Sequence, residues 1–311
     1  MEFSHVPVML GECIDALEIK EDGIYVDCTA GGGGHSLEIL KKLRGGKLIS
    51  VDRDEDAISI CRQRFAEYAD RSILVRDNFV NLDSVLAKLG IEKIDGLLID
   101  LGVSSHQLDT TERGFSYHSE TRLDMRMDTS SSVSAYEIVN EYSENDLRRI
   151  ISDYGEENFA SRIARRIVTE RESGNIETTI QLSELIRQAI PQKSREKENQ
   201  HPARRTFQAI RIEVNGELDV IAPTITSAVN HLNKDGKIAV ITFHSLEDRI
   251  VKQTLTSLAE GCTCPRNFPV CVCGNKPMIT QDSKKPIPPS EEELAINPRS
   301  RSAKLRVAKK L

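Results

Sequence analysis

Short, unbroken apolar runs recur through the first hundred positions, and an acidic residue stands at or just past the end of each. Residues 24–26 lead into Asp27, 47–51 into Asp52, and 72–75 into Arg76 and Asp77. Residues 94–101 carry a continuous apolar centre, Leu97 to Ile99, that meets Asp100. Runs of this length without alternation predict strands buried on both faces. Between them the apolar residues step by three and four, as in Leu37, Leu40 and Leu43, and again over 57–65 and 82–89, where Gly90 supplies a stop. Strand and helix in alternation predict an α/β fold with a doubly wound, mostly parallel sheet.

The alternation stops after the fourth run. No strand pattern is visible over 104–198, and helices are predicted at 136–139, 147–154, 159–168 and 182–190, the last ended by Pro191. The third is the clearest, with Phe159, Ala160, Ile163, Ala164, Ile167 and Val168 on one face. This block reads as an inserted all-helical subdomain, left through a charged linker at 194–202. The expected domains are therefore 1–103 with 199–311, and 104–198 between them. Phe207, Ile210, Val214, Leu218 and Ile221 predict one helix over 204–222, which overrules the hairpin that Asn215–Gly216 would suggest. A fifth strand at 237–243 and a helix at 250–258 follow.

The chemistry gathers where strands end. Gly31, Gly32, Gly33 and Gly34 separate the first strand from a helix, and without Cβ atoms the backbone there can turn sharply and lie against a ligand. The helix start aims unpaired N–H groups and a positive dipole end at the same place. Strand, glycine turn and helix in this order describe a nucleotide-type cofactor cradle. Asp52 lies about 20 positions on, at the tip of the second strand, where a carboxylate accepts from ribose hydroxyls; Asp54 reads as a helix cap. Asp77, Asn78 and Phe79 suit an adenine site, although Phe79 reads equally well as a core aromatic. A dinucleotide fingerprint would need a glycine at Ser36. At the fifth strand tip, His244, Ser245, Glu247 and Asp248 offer either substrate contacts or a cap made by Ser245 with Asp248.

Composition adds limits. With 39% hydrophobic and 29% charged among 311 residues, the chain can bury a substantial core. No apolar run approaches the roughly 18 residues of a membrane helix, and no secretory signal is visible, so a cytoplasmic protein is expected. The formal charge is −6, but residues 299–311 hold six basic residues and no acidic one, so the body before them carries −12. Such a tail suits contact with phosphates or is merely solvated. Further basic groups stand at Arg162, Arg165 and Arg166, and at Arg204, Arg205 and Arg211. Seven cysteines argue against a disulfide framework. Cys262, Cys264, Cys271 and Cys273 could hold a tetrahedral Zn2+ or form a loop of reduced thiols; the C-x-C spacing is atypical and no metal site is assigned.

Several blocks carry more than generic chemistry. DCTAGGGGHS, SVDRD, LLIDLGVSSHQLD, RGFSY, LDMRM, YGEE, HPARRTFQAIRI, TFHSLEDRIVK and NPRSRSAKLR, in this order and nearly end to end, resemble the bacterial small-subunit ribosomal RNA cytosine-N4 methyltransferases. The resemblance implies a class I, Rossmann-like methyltransferase that uses S-adenosylmethionine. It implies a helical insertion that handles RNA. The target it implies is the exocyclic N4 amine of a decoding-centre cytidine in 16S ribosomal RNA, within the small ribosomal subunit. It places cofactor contacts at Gly33, Gly34, His35, Asp52, Phe79, Asp100 and Gln107. Asp100 is also the candidate catalytic residue, as the acceptor of the amine proton. Many amino-methyltransferases follow that acid with two prolines and an aromatic; here Leu101, Gly102 and Val103 follow instead.

Overall fold

The computed structural model describes residues 7–196, 200–262, 264–265, 270 and 272–311. The chain divides into two compact units, Met1–Gly102 with Leu218–Leu311, and Val103–Glu217.

The first unit is built on strands β1 (Ile24–Asp27), β2 (Lys47–Asp52), β3 (Ser72–Arg76), β4 (Ile94–Asp100), β5 (Leu232–Thr242), β6 (Ile279–Thr280) and β7 (Lys304–Lys310), in the order β3-β2-β1-β4-β5-β7-β6. The first five are parallel, and β7 runs antiparallel to both β5 and β6. Alternate residues of the strands enter two different cores. Val26, Ile49, Leu97, Ile99 and Val240 pack with Leu86, Ile225 and Val251. Tyr25, Leu48, Leu98, Ala239 and Ile241 pack with Leu17, Leu40 and Phe65. Helices thus cover both faces, which is why the strands read as unbroken apolar runs. Strand order reverses between β1 and β4, and ligands of doubly wound sheets bind at the carboxyl ends beside such a switch.

Residues 299–311 are neither a solvated tail nor an arm. Leu305 and Ala308 of β7 are buried in the two cores, and Arg306 is buried too. Arg306 Nε donates to Asp248 Oδ1 at 2.7 Å, Lys304 Nζ to Asp248 Oδ2 at 3.3 Å, and Lys309 Nζ lies 3.0 Å from Asp235. Lys304, Arg306, Lys309 and Lys310 are the polar positions of a sheet strand, and Arg299 and Arg301 stand exposed on the short turn before it.

The second unit is helical, with helices at Ala135–Glu141, Glu144–Asp153, Ala160–Arg171, Thr179–Ala189 and Arg204–Asn215 among others. Its core includes Phe115, Leu123, Ile138, Ile150, Ile163, Ile186 and Phe207. Ser134 and Thr178 each form a capping box, with Glu137 and Gln181. The helix expected over 204–222 stops at Asn215, because Gly216 takes φ +57° and ends it in the left-handed conformation. Asn215 Nδ2 donates to Met125 O and its Oδ1 accepts from Met127 N, both at 2.8 Å, which fixes this helix inside the inserted unit. Ile221–His231 is a separate helix of the sheet unit. By its contacts Arg204–Asn215 belongs to the insertion, although the sequence boundary fell before it.

Candidate active site

The glycine turn is shaped by its neighbours. Gly31 and Gly33 have φ of +49° and +77°. A Cβ on Gly33 would meet the Phe65 ring at 2.9 Å, and one on Gly34 would meet Pro7 Cγ at 2.2 Å, whereas a Cβ on Gly32 would find nothing closer than 3.9 Å. Gly33 and Gly34 are therefore set by the packing behind them, whereas Gly32 is bordered only by the Arg64 guanidinium, which donates to its carbonyl. The helix Gly34–Lys42 starts here.

Asp52 is tied to this turn. Its Oδ2 accepts from Gly31 N at 2.8 Å and its Oδ1 from Asp54 N at 2.9 Å. Desolvation outweighs these bonds and pushes its carboxyl up to about 6. Asp54 caps the helix Glu55–Arg64, as its spacing predicted. Asp27, fully buried, accepts from Ser36 Oγ at 2.7 Å and from Thr29 N at 3.1 Å, and Ser36 Oγ lies 2.9 Å from Ser50 Oγ. Where a dinucleotide fold would press glycine against the strand, this chain packs a hydrogen-bonded serine.

His35 is buried, and its Nε2 lies 3.0 Å from the Val8 carbonyl oxygen. Only an N–H can satisfy that oxygen, so Nε2 carries the proton. Desolvation lowers the ring's pKa against the opposing pull of Asp27, so the neutral form dominates. Nδ1 then holds a lone pair, 3.9 Å from Asp100 Oδ2. What His35 offers a ligand is its backbone N–H at the helix start, with the ring serving as a buried anchor.

Asp100 ends β4 at the switch point. Its backbone N–H donates to Thr29 Oγ1 at 2.7 Å, and its Oδ1 is buried with no hydrogen-bond partner among the described residues. About a quarter of the side chain remains open to solvent. Desolvation, then the negative fields of Asp27 and Glu247, raise its carboxyl well above the ordinary range. Asp27 and Glu247 were not foreseen as partners of Asp100, because one stands before the glycine turn and the other beyond the fifth strand.

The remaining positions are more ordinary. Phe79 is partly buried against the sheet core, and Asn78 caps the short turn that carries it. Asp77 Oδ1 accepts from Asn78 N and from Asn81 Nδ2, both at 2.7 Å. Past β5, His244 rather than Ser245 caps the helix Ser245–Ala259, and its box partner is Glu247 rather than Asp248. Glu247 Oε2 accepts from Phe243 N at 2.7 Å. In the inserted unit, Gln107 is buried and closes a capping box with Ser104. Also there, Arg211 forms a paired contact with Glu217, 2.8 Å for each bond, Arg165 lies 3.6 Å from Glu144, and Arg166 lies 2.9 Å from Glu170. Arg162 is exposed. His201 stacks on Tyr117 with centroids 4.6 Å apart.

The model of the MraW methylase family matches residues 2–311. Two similar relatives are called ribosomal RNA small subunit methyltransferase H. The one from Clostridium botulinum (strain Kyoto / Type A2) is 56% identical and the one from Clostridioides difficile (strain 630) 55% identical, each over 100% of both chains. Among solved structures, an rRNA methylase from Streptococcus thermophilus matches with a TM-score of 0.45 at 12% identity, over 99% of both chains. A methyltransferase from Streptococcus mutans in complex with SAH matches with a TM-score of 0.46 at 12% identity, over 99% of this chain and 100% of that one.

Proposed function

Because the chain belongs to the MraW methylase family, we propose that it transfers a methyl group from S-adenosylmethionine to the exocyclic N4 amine of a decoding-centre cytidine in 16S ribosomal RNA, in the cytoplasm, within the small ribosomal subunit. The observation that carries the chemistry is Asp100: a carboxyl with one oxygen unpartnered, raised in pKa, at the switch point beside a glycine turn.

The residues present fit the cosubstrate. Asp27 and Glu247 lend their negative fields to Asp100, which favours a cation there, and Gly32 is the least crowded of the turn's glycines on its Cβ side. When bound, S-adenosylmethionine supplies a methyl group already activated by its sulfonium charge. The helix start at Gly34 and His35 offers N–H groups to a carboxylate, and Gly33, whose own N–H donates to Ala30 O at 2.7 Å, shapes the turn beside them. Asp52 fixes Gly31 and keeps lone pairs for ribose hydroxyls. Phe79 supplies a face for the base. Asp100 Oδ1 accepts an N–H of the cytidine amine, raising electron density on nitrogen, and takes the proton as the new bond forms. A positive charge close by lowers the Asp100 pKa, so the acceptor is ionised when it is needed. Alignment supplies the rest, up to about 7–11 kcal/mol of the barrier. The target base must be splayed out of its stack to reach such a site, a task we assign to the helical insertion.

The test is tritiated methyl transfer to naked 16S RNA and to assembled small subunits, followed by nucleoside analysis. We expect N4-methylcytidine at one position. Methylation of another nucleoside, or none on either substrate, overturns the reading.

A further inference from the structure

We propose that Cys262, Cys264 and Cys273 form a structural zinc site in the loop that follows the helix Ser245–Ala259. The three thiol sulfurs lie within 4.8 Å of one another. Cys262 Sγ and Cys273 Sγ are 3.7 Å apart. A tetrahedron with Zn–S bonds of about 2.3 Å has sulfur–sulfur edges of about 3.8 Å. A disulfide between those two would need about 2.05 Å, far short of the separation here.

Backbone N–H groups converge on the sulfurs. Val272 N and Cys273 N both donate to Cys264 Sγ at 3.3 Å, and Asn275 N donates to Cys273 Sγ at 3.5 Å. Gly274 takes φ +65°, a left-handed turn that brings the Asn275 N–H back onto that sulfur. Asn275 Nδ2 donates to Gly261 O at 2.9 Å and joins the two ends of the loop. Contacts of this kind orient sulfur ligands around a metal.

The loop also needs an organiser. Between residues 260 and 277 no described residue is buried, and Val270 and Val272 are about 70% exposed. A segment without an apolar core is commonly held by a metal, whose binding energy becomes folding energy. The loop joins the helix Ser245–Ala259 to β6, at the edge of the sheet. On binding, each thiol gives its proton to solvent and its sulfur pair to the metal. The sequence carries a further cysteine, Cys271, outside the described residues; the inference rests on the other three.

Full-length protein, purified with reductant and desalted, is assayed for metal by mass spectrometry, then stripped and reloaded with cobalt. We expect one zinc per chain and the visible and near-ultraviolet bands of a tetrahedral cobalt thiolate. We also expect zinc to protect Cys262, Cys264 and Cys273 from alkylation in the intact protein. Cys262→Ser with Cys264→Ser should lose at least ninety per cent of the zinc while still binding S-adenosylmethionine. Absence of cobalt–thiolate bands in the unmutated protein, zinc retained by the double variant, or a Cys262–Cys273 disulfide at cytosolic glutathione potentials would each overturn the site. None of these outcomes bears on methyl transfer, so the two readings fail independently.

Discussion

Asp100 and Asp52 carry the sharpest residue-level consequences. Asp100→Asn keeps the shape and loses the proton acceptor, so kcat for methyl transfer should fall roughly 10²–10⁴-fold, with S-adenosylmethionine affinity measured beside it to separate binding from chemistry. An unchanged kcat removes Asp100 from the proton path. Burial pushes the Asp52 carboxyl up to about 6 in the folded protein, above the ordinary range of an exposed carboxylate. The unfolded chain ionises first, so this group's favourable contribution to folding is present in acid and fades as pH rises, gone above about 6. Asp27 and Asp100 are shifted the same way. Without ligand, these carboxyls should therefore make the protein relatively more stable near pH 5 than near pH 7.5. Binding of cationic S-adenosylmethionine should do the reverse, tightening as pH rises through about 6 and releasing protons. Calorimetry in buffers of different ionisation enthalpy reads that release, and Asp52→Asn should reduce it. The positions of both acids were legible, since each closes an apolar run. Their electrostatics were not, because the field at Asp100 comes from Asp27 and Glu247, distant in sequence and adjacent only once the strands are paired.

At the scale of elements, strands β1 to β5 could be read because helices cover both faces and the apolar runs are continuous. β7 could not. Lys304, Arg306, Lys309 and Lys310 punctuate it, and only pairing with β5 shows that Arg306 lies inside, against Asp248. Similarly, His244 is an unusual helix cap, and the more ordinary Ser245 beside it drew the assignment. Asp248 shows what β7 contributes. Burial alone would raise its carboxyl, but Arg306 and Lys304 hold it below the ordinary range. This pairing supports folding above the unfolded pKa and is lost as pH falls through the lower folded value. Arg306→Ala removes the closer of the two cations on Asp248 and leaves Lys304 alone to hold it, so it should cost about 1–3 kcal/mol, read as a lower midpoint in urea. Removing 299–311 should yield insoluble protein, since it strips β5 of its neighbour. A soluble truncation that merely binds RNA less tightly would mean the segment acts as an arm after all.

For the molecule as a whole, the consequence lies in where the chain is cut. Each unit has its own core: the sheet unit packs around Leu97, Val240 and their neighbours, and the insertion around Ile138, Ile163 and Phe207. Sequence periodicity ran through Asn215 and Gly216 without a break, because Leu218 and Ile221 happen to continue the spacing of Phe207, Ile210 and Val214. The left-handed turn at Gly216 and the bonds from Asn215 to Met125 and Met127 divide what the pattern joined. Two excisions separate these descriptions. Replacing 103–217 by a short glycine–serine linker removes a complete unit, so the remainder should stay folded and bind S-adenosylmethionine while transferring no methyl group to ribosomal RNA. Replacing 104–198 leaves the helix Arg204–Asn215 behind with Phe207, Ala209, Ile210 and Ile212, all buried in the intact chain. Exposing that face takes away roughly 1.5–3 kcal/mol for each large side chain and presents an apolar stripe to solvent, so this variant should aggregate. Circular dichroism and light scattering compare the two. Equal solubility would mean that Arg204–Asn215 does not depend on the insertion, and the boundary would return to the charged linker.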